Sequence, residues 1–223
     1  MAESQPRSQR ILMIAPTPFF ADRGCHVRIL GEAKALIALG HHVVLCTYFL
    51  GRDIEGIPTE RTVMIPWYNK LSAGPSWHKF YIDVLLLSKV LRACGNFRPD
   101  IIHAHLHEGI LIGKIASLIF RVPLVADLQG SLTDELLAHK FLPNIKPFIR
   151  FVSWIEKKIN QMPAHLIVSS THTAQACVNL YGIAADRVTS VMDGVDLDMY
   201  RPLERDISLQ TSLGIVRLKG ENE

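Results

Sequence analysis

The chain has 223 residues, 48% of them apolar, which is enough for one large domain with a continuous core and excludes a disordered or fibrous protein. Its net charge of +3 comes from scattered lysines and arginines, so no sequence-wide field points to nucleic acid and none is expected as a partner. The four cysteines, Cys25, Cys46, Cys94 and Cys177, stand far apart with no C-x-x-C pair and read as reduced, mostly structural thiols of a cytoplasmic protein. The opening MAESQPRSQR has no apolar h-region, and runs such as YIDVLLLSKVL are broken by charge well short of a membrane span.

In chain order, RILMIAP (10–16) is a buried strand, CHVRILGEAKALIALG (25–40) a helix closed by Gly40, and HHVVLCTYF (41–49) the next strand. RTVMIPW (61–67) is expected as a third strand, followed by the loop YNKLSAGPS and a helix from about Trp77 to Gly95. DIIHAHL (100–106) is a strand, EGILIGKIASLIF a helix and PLVADLQ (123–129) a strand. Helices follow over Thr133 to Phe141 and Ile145 to Gln161, then strand AHLIVSS (164–170), a helix over Thr173 to Tyr181, and strand RVTSVMD (187–193). Continuous apolar strands alternating with helices predict an α/β domain, a doubly wound and mostly parallel sheet of Rossmann-like type. Ligands of such sheets bind just beyond the carboxyl ends of the strands.

Four such segments carry candidate chemistry. After the first strand, APTPFFADRGCHVRI holds Gly24 alone, without the G-x-G-x-x-G of an NAD or FAD site. Such a glycine frees backbone N–H groups to face an anion at a helix start, or serves only the turn, and both readings stay open. HAHLHEG places His103, His105 and His107 at alternate positions, on one side while the segment stays extended. That suits metal ligation, but the H-x-H-x-D-H order of one metallohydrolase class is not met, and a helix start near Glu108 turns His107 away. No metal is therefore expected, and the histidines pack or hydrogen-bond substrate. In ADLQGSLTDEL, Ser131 or Thr133 caps a helix, leaving Asp127 and Gln129 as candidates for binding hydroxyl groups. FLPNIKPFIRFVSWIEKKIN mixes aromatics with Lys146, Arg150, Lys157 and Lys158, a pattern suited to peripheral contact with an anionic membrane or to a solvated helix face.

Taken together, PFFADRGCHVRI, RPDIIHAHLHEG, PLVADLQGS and VMDGVDLDMYRP resemble the N-terminal half of a family 4 glycosyltransferase, in order and spacing from Arg10 to Pro202. The resemblance implies one half of a GT-B architecture: residues 1–9 a polar tail, 10–202 the acceptor-side domain and 203–223 a truncated linker. It implies a retaining enzyme that moves a sugar from a nucleotide-sugar to a glycan, lipid or small-molecule acceptor, with no cofactor besides the donor substrate. Carried over by position, Gly24 lies in the loop approaching donor phosphates and acceptor, with Asp22, Arg23 and His26 around it, while His105 and His107 line the cleft. Gln129 stands where many members have a sugar-contacting histidine, and Asp193 replaces the asparagine of N-G-V-D at the interdomain turn.

Family members carry two glutamates eight positions apart in the donor domain. No glutamate here, from Glu3 to Glu223, has another eight residues further on. The expectation is an acceptor half that is inactive alone. The alternatives are a non-catalytic subunit that docks a separate donor-domain chain, and a metal-dependent hydrolase built on HAHLHE.

Overall fold

The computed structural model describes residues 7–69, 78–141 and 143–195, together with Leu197, Tyr200, Ser208 and Ser212. Most of the loop expected at 68–76, and most of the chain from 196 onward including the 203–223 tail, lie outside the described residues. The chain divides into two compact units, Met1–Asp193 and Gly194–Glu223. In the second, Ser208 and Ser212 are helical and exposed.

The first unit runs β1 (Arg10–Ala15), α1 (Gly24–Ala38), β2 (His42–Thr47), β3 (Thr59–Arg61), α2 (His78–Phe97), β4 (Ile101–His105), α3 (Leu106–Phe120) and β5 (Leu124–Leu128). It continues with α4 (Leu132–Ala138), α5 (Lys146–Asn160), β6 (His165–Val168), α6 (Thr171–Tyr181) and β7 (Val188–Ser190). The strands form one sheet in the order β3-β2-β1-β4-β5-β6-β7, every neighbouring pair parallel. Strand order therefore reverses between β1 and β4, and the carboxyl ends of those two strands flank the crevice where such folds bind ligands.

Both sheet faces are packed, as the continuous apolar strands require. On one face Met13, Ala15, Val43 and Leu45 pack with Ile29 and Ala33 of α1. On the other, Leu12, Ile14, Ile102 and Ala126 pack with Ile82, Leu86 and Val90 of α2, Ile110 and Ala116 of α3, and Ile159 of α5. Helix α3 comes close to the sheet because Gly113 has no side chain: a Cβ there would meet Leu124 Cδ1 at 2.7 Å and Ala104 Cβ at 3.3 Å. Residues in register share a face, so His103 lies beside Met13 and His105 beside Asp127, all on the α1 side.

One expected strand is corrected. The apolar run at 61–67 pairs only through Thr59–Arg61 and then leaves the sheet. Val63, Met64 and Trp67 are exposed, whereas Ile65 and Tyr68 turn back to the core, and Pro66 has no N–H to continue a ladder. Helix α3 also begins at Leu106, one turn-half earlier than expected, so His107 is helical. All four cysteines are free thiols, and those at 46, 94 and 177 are buried.

Candidate functional site

A cavity of about 410 Å³ opens at the carboxyl ends of β1, β4 and β5. Its wall is built from the loops that leave those strands: Thr17, Arg23 and Cys25 after β1, Leu106, His107 and Glu108 after β4, and Gln129, Gly130 and Ser131 after β5. Tyr48, Tyr68 and Lys79 complete it from the β2 side. Lys79 Nζ donates to Glu108 Oε1 at 2.5 Å, so this cation of the wall is already neutralised. Burial works against the Lys79 charge, yet Glu108 holds its pKa above the ordinary value. Tyr48 donates to Asp83 at 2.5 Å, and burial pushes the Asp83 carboxyl up to about 6.

The start of α1 faces this region with little of its own capping. Its N-cap is Arg23, which supplies no side-chain acceptor, and its first turn has no acidic residue. Space is open on the side where Gly24 would carry a Cβ. Behind this helix start, His26 is sealed from solvent: Nδ1 accepts from Ala21 N at 2.9 Å, which leaves the Nε2 proton to donate to Thr17 Oγ1 at 2.6 Å. Burial drops its pKa to about 4, keeping the ring neutral.

One turn further along α1, Arg28 anchors a buried charge cluster. Its guanidinium donates to both Asp127 oxygens, at 2.6 to 3.0 Å, and to Val191 O and Asp193 Oδ1 at 3.0 and 2.6 Å. Glu32 Oε1 is 3.1 Å from Arg28 Nε. Burial disfavours the Asp127 charge, but the His105 ring 3.5 Å away and Arg28 outweigh it and hold the carboxyl below its usual range. For Glu32 burial outweighs the pull of His105 and Arg28 and raises the carboxyl to about 7. Its Oε2 lies 3.5 Å from His103 Nε2 and 3.9 Å from His105 Nδ1.

A second buried carboxylate, Glu156 of α5, fixes the β5–α4 turn that forms part of the cavity wall. It accepts from Leu132 N, Thr133 N, Thr133 Oγ1 and Tyr181 Oη, at 3.0, 3.1, 2.5 and 2.9 Å. Ser131 caps α4 as expected, accepting from Asp134 N at 3.2 Å, while the Thr133 hydroxyl is committed to Glu156.

Of the residues singled out by sequence, Arg23, His107 and Gln129 border the cavity and Gly24 begins the helix beside it. Asp22 borders a neighbouring, more open depression and pairs with Arg52 at 2.5 Å. His26, His105 and Asp127 do not reach the wall: all three are fully buried, Asp127 already bound by Arg28 and Gln129. The three alternate histidines do not form one set either, because His107 turns within α3 and faces Glu156 at 3.8 Å. Arg28, Glu32 and Glu156 were missed. Glu156 was legible as a charge inside the apolar stripe Val152, Ile155, Ile159 of α5, and Arg28 and Glu32 as an i,i+4 pair beside the buried Ile29.

The order reversal at β1 and β4, with a polar cavity over it, defines a Rossmann-like ligand-binding domain. Residues 23–199 match the Glycosyltransferase Family 4 profile, and the chain belongs to that family. It is 27% identical over 192 residues to the D-inositol 3-phosphate glycosyltransferase of Streptosporangium roseum, covering 82% of this chain and 43% of the relative. It is 32% identical over 217 residues to D-inositol 3-phosphate glycosyltransferase 2 of Catenulispora acidiphila, covering 90% and 49%. The chain thus spans less than half the length of these relatives. Among solved structures it resembles sucrose-phosphate synthase from Thermosynechococcus elongatus, with TM-score 0.70 and 16% identity over 93% of this chain and 53% of that one. It also resembles Anabaena Alr3699/HepE in complex with UDP and glucose, with TM-score 0.64 and 21% identity over 92% and 50%. The fold is that of one GT-B half. Among the described residues, no helix is long and apolar enough to cross a membrane.

Proposed function

We propose that this chain is the acceptor-binding half of a retaining glycosyltransferase, with a nucleotide-sugar held by a donor domain that lies in a longer polypeptide or in a separate chain. The observation that carries the proposal is the cavity at the β1/β4 reversal, whose wall offers hydroxyls, an imidazole and an amide beside a neutralised Lys79. Such groups suit a polyol or sugar acceptor. His107 and Gln129 contact its hydroxyl groups. The free N–H groups at Gly24, with the helix dipole behind them and Arg23 alongside, face the donor phosphates. The leaving phosphate assists attack with no covalent enzyme nucleophile, so the work of this half is positioning and electrostatic stabilisation.

The names of relatives suggest the probes: D-inositol 3-phosphate as acceptor, and UDP and UDP-glucose as donor-side ligands. Calorimetry on the 223-residue chain should detect weak acceptor binding that Gln129→Ala and His107→Ala reduce, and no micromolar binding of UDP-glucose. Micromolar donor affinity for the chain alone would place the donor site here and defeat the proposal.

The same reading includes peripheral contact with an anionic membrane through α5. Ile145, Phe148, Phe151 and Trp154 are exposed along it, beside the cations Lys146, Arg150 and Lys158, and its one acidic residue, Glu156, is buried. Aromatic side chains inserting at the headgroup boundary within a ring of cations match an anionic bilayer. Flotation with phosphatidylglycerol-rich vesicles should carry the chain, phosphatidylcholine vesicles should not, and Phe148→Ser/Phe151→Ser should abolish it. Equal flotation on both lipids would count against it.

A further inference from the structure

Helix α1 and strand β4 bring Glu32, His103 and His105 together, with one ligand atom from each lying within 4.8 Å of the others. We propose that these three side chains bind a divalent transition-metal ion of the zinc class, clamping α1 to β4 beneath the cavity. This site is separate from the acceptor reading and does not depend on it.

Four features carry the assignment. First, the geometry is nearly assembled. Alternate positions on β4 aim both imidazoles at the α1 face, with ring centroids 4.5 Å apart, and Glu32 Oε2 sits 3.5 and 3.9 Å from their nearer nitrogens. A tetrahedral ion about 2.0 to 2.2 Å from each ligand holds its ligand atoms roughly 3.3 Å apart, so the two carboxylate contacts are within a few tenths of an ångström of that spacing, while the imidazole nitrogens, inside the 4.8 Å limit of the set, close by rotamer adjustment.

Second, the ligand atoms lack close partners. Glu32 Oε2 and His103 Nε2 are buried without a hydrogen-bond partner, and His105 Nδ1 has only the Asp127 carboxylate at 3.5 Å, whereas buried polar atoms are otherwise almost always paired. The two histidines are 6% and 0% exposed.

Third, three carboxylates share one guanidinium: Arg28 faces Asp127 and Glu32, both inside, and Asp193 at the rim. A dication would favour the ionised form of Glu32, whose Oε1 lies 3.1 Å from Arg28 Nε on the side away from the histidines.

Fourth, the ligand chemistry selects the ion. Two imidazoles and one carboxylate suit zinc and its neighbours and disfavour magnesium or calcium, which take oxygen ligands.

The test uses the 223-residue chain without a histidine tag, stripped with EDTA. Zn²⁺ is titrated by calorimetry, and Co²⁺ in parallel by visible absorption. The expected result is one ion per chain with an affinity on the order of micromolar or tighter, a tetrahedral cobalt spectrum, and a higher Tm with zinc than without. Glu32→Gln, which keeps the shape, and His103→Ala should each weaken binding by about 100-fold or more. His107→Ala, facing Glu156 instead, should leave it unchanged. Absence of a stoichiometric ion would overturn the proposal, as would binding that survives Glu32→Gln, which points to surface histidines. If His103→Ala fails to fold, Glu32→Gln decides alone, with circular dichroism reporting its fold.

Discussion

Replacing Arg28 with methionine keeps the aliphatic stem and removes the charge that Asp127 depends on. The Arg28 side chain is 6% exposed and Asp127 is wholly buried, so the substitution strands a carboxylate that accepts from the guanidinium at 2.6 to 3.0 Å. Breaking a buried pair by removing one partner costs about 3–5 kcal/mol. The contact to Asp193 adds at most about 1 kcal/mol, because that side chain is 67% exposed and its attraction is screened. Relief of Glu32 from the lost cation works in neither direction strongly, since its carboxyl already tends to be protonated near neutrality. A net loss of about 4 kcal/mol lowers the Tm of a chain this size by roughly 8–16 °C. It also shifts the urea midpoint by about 1.5 M for an m-value near 2.5 kcal/mol/M. Replacing both partners, as Arg28→Met/Asp127→Leu, should recover at least half of the loss, because no buried charge is then left alone. A cost for Arg28→Met below about 1 kcal/mol at unchanged m, or a double variant no more stable than the single one, would mean that Asp127 does not depend on the guanidinium.

Other expectations rest on separate features. Gly51 has φ +105°, and a Cβ there would enter the Phe19 carbonyl group, so Gly51→Ala should cost more than about 3 kcal/mol. Gly40→Ala, at φ +84° but with open space, should cost only about 1 kcal/mol by the same denaturation assay. Glu156→Gln turns an all-acceptor carboxylate toward two backbone donors and should cost about 2–3 kcal/mol at pH 7. Because its folded pKa lies below its ordinary value of 4.5, the Glu156 contribution persists above that pH and fades below it, so the variant and the parent should converge in acid. His26 gives an opposite residue type with the same sign. Its folded pKa near 4 lies below the unfolded 6.5, so its contribution is complete above pH 6.5 and lost on acidification. Between pH 7 and pH 5 this amounts to about 2 kcal/mol, and His26→Phe should flatten that slope.

How much of this was legible follows from where the information sits. The alternation of RILMIA, HVVLCT, IIHAH and LVADL with helical stretches fixed a parallel sheet, because strands buried on both faces must be apolar throughout. The run at 61–67 misled because hydropathy cannot distinguish an apolar segment that pairs from one that alternates between core and solvent after a three-residue edge strand. At the site, the loops after β1, β4 and β5 were located from spacing alone, yet the division between wall and foundation was not. His105 and Asp127 face away from the cavity because β4 and β5 put them on the α1 side of the sheet, and that depends on register between strands far apart in sequence. Arg28, Glu32 and Glu156 left a local sign of burial, an i,i+4 pair and a charge inside an apolar stripe, but the partners that give each its role come from other elements, so the sequence around them did not name it.

The reach of one guanidinium has a consequence for how this protein is made. Arg28 joins Asp127 across 99 positions and Asp193 across 165, so its partners are synthesised long after it. Until they arrive, α1 has a cation on the face it must bury and cannot settle fully on the sheet. Closure of the first helix is thereby deferred at least until Asp127 has been made, and the high sequence separation makes that step slow relative to local helix and turn formation. A ribosome-bound chain ending shortly before Asp127 would expose β1 and α1 as its aggregation-prone segment, with the carboxylate that completes them not yet made.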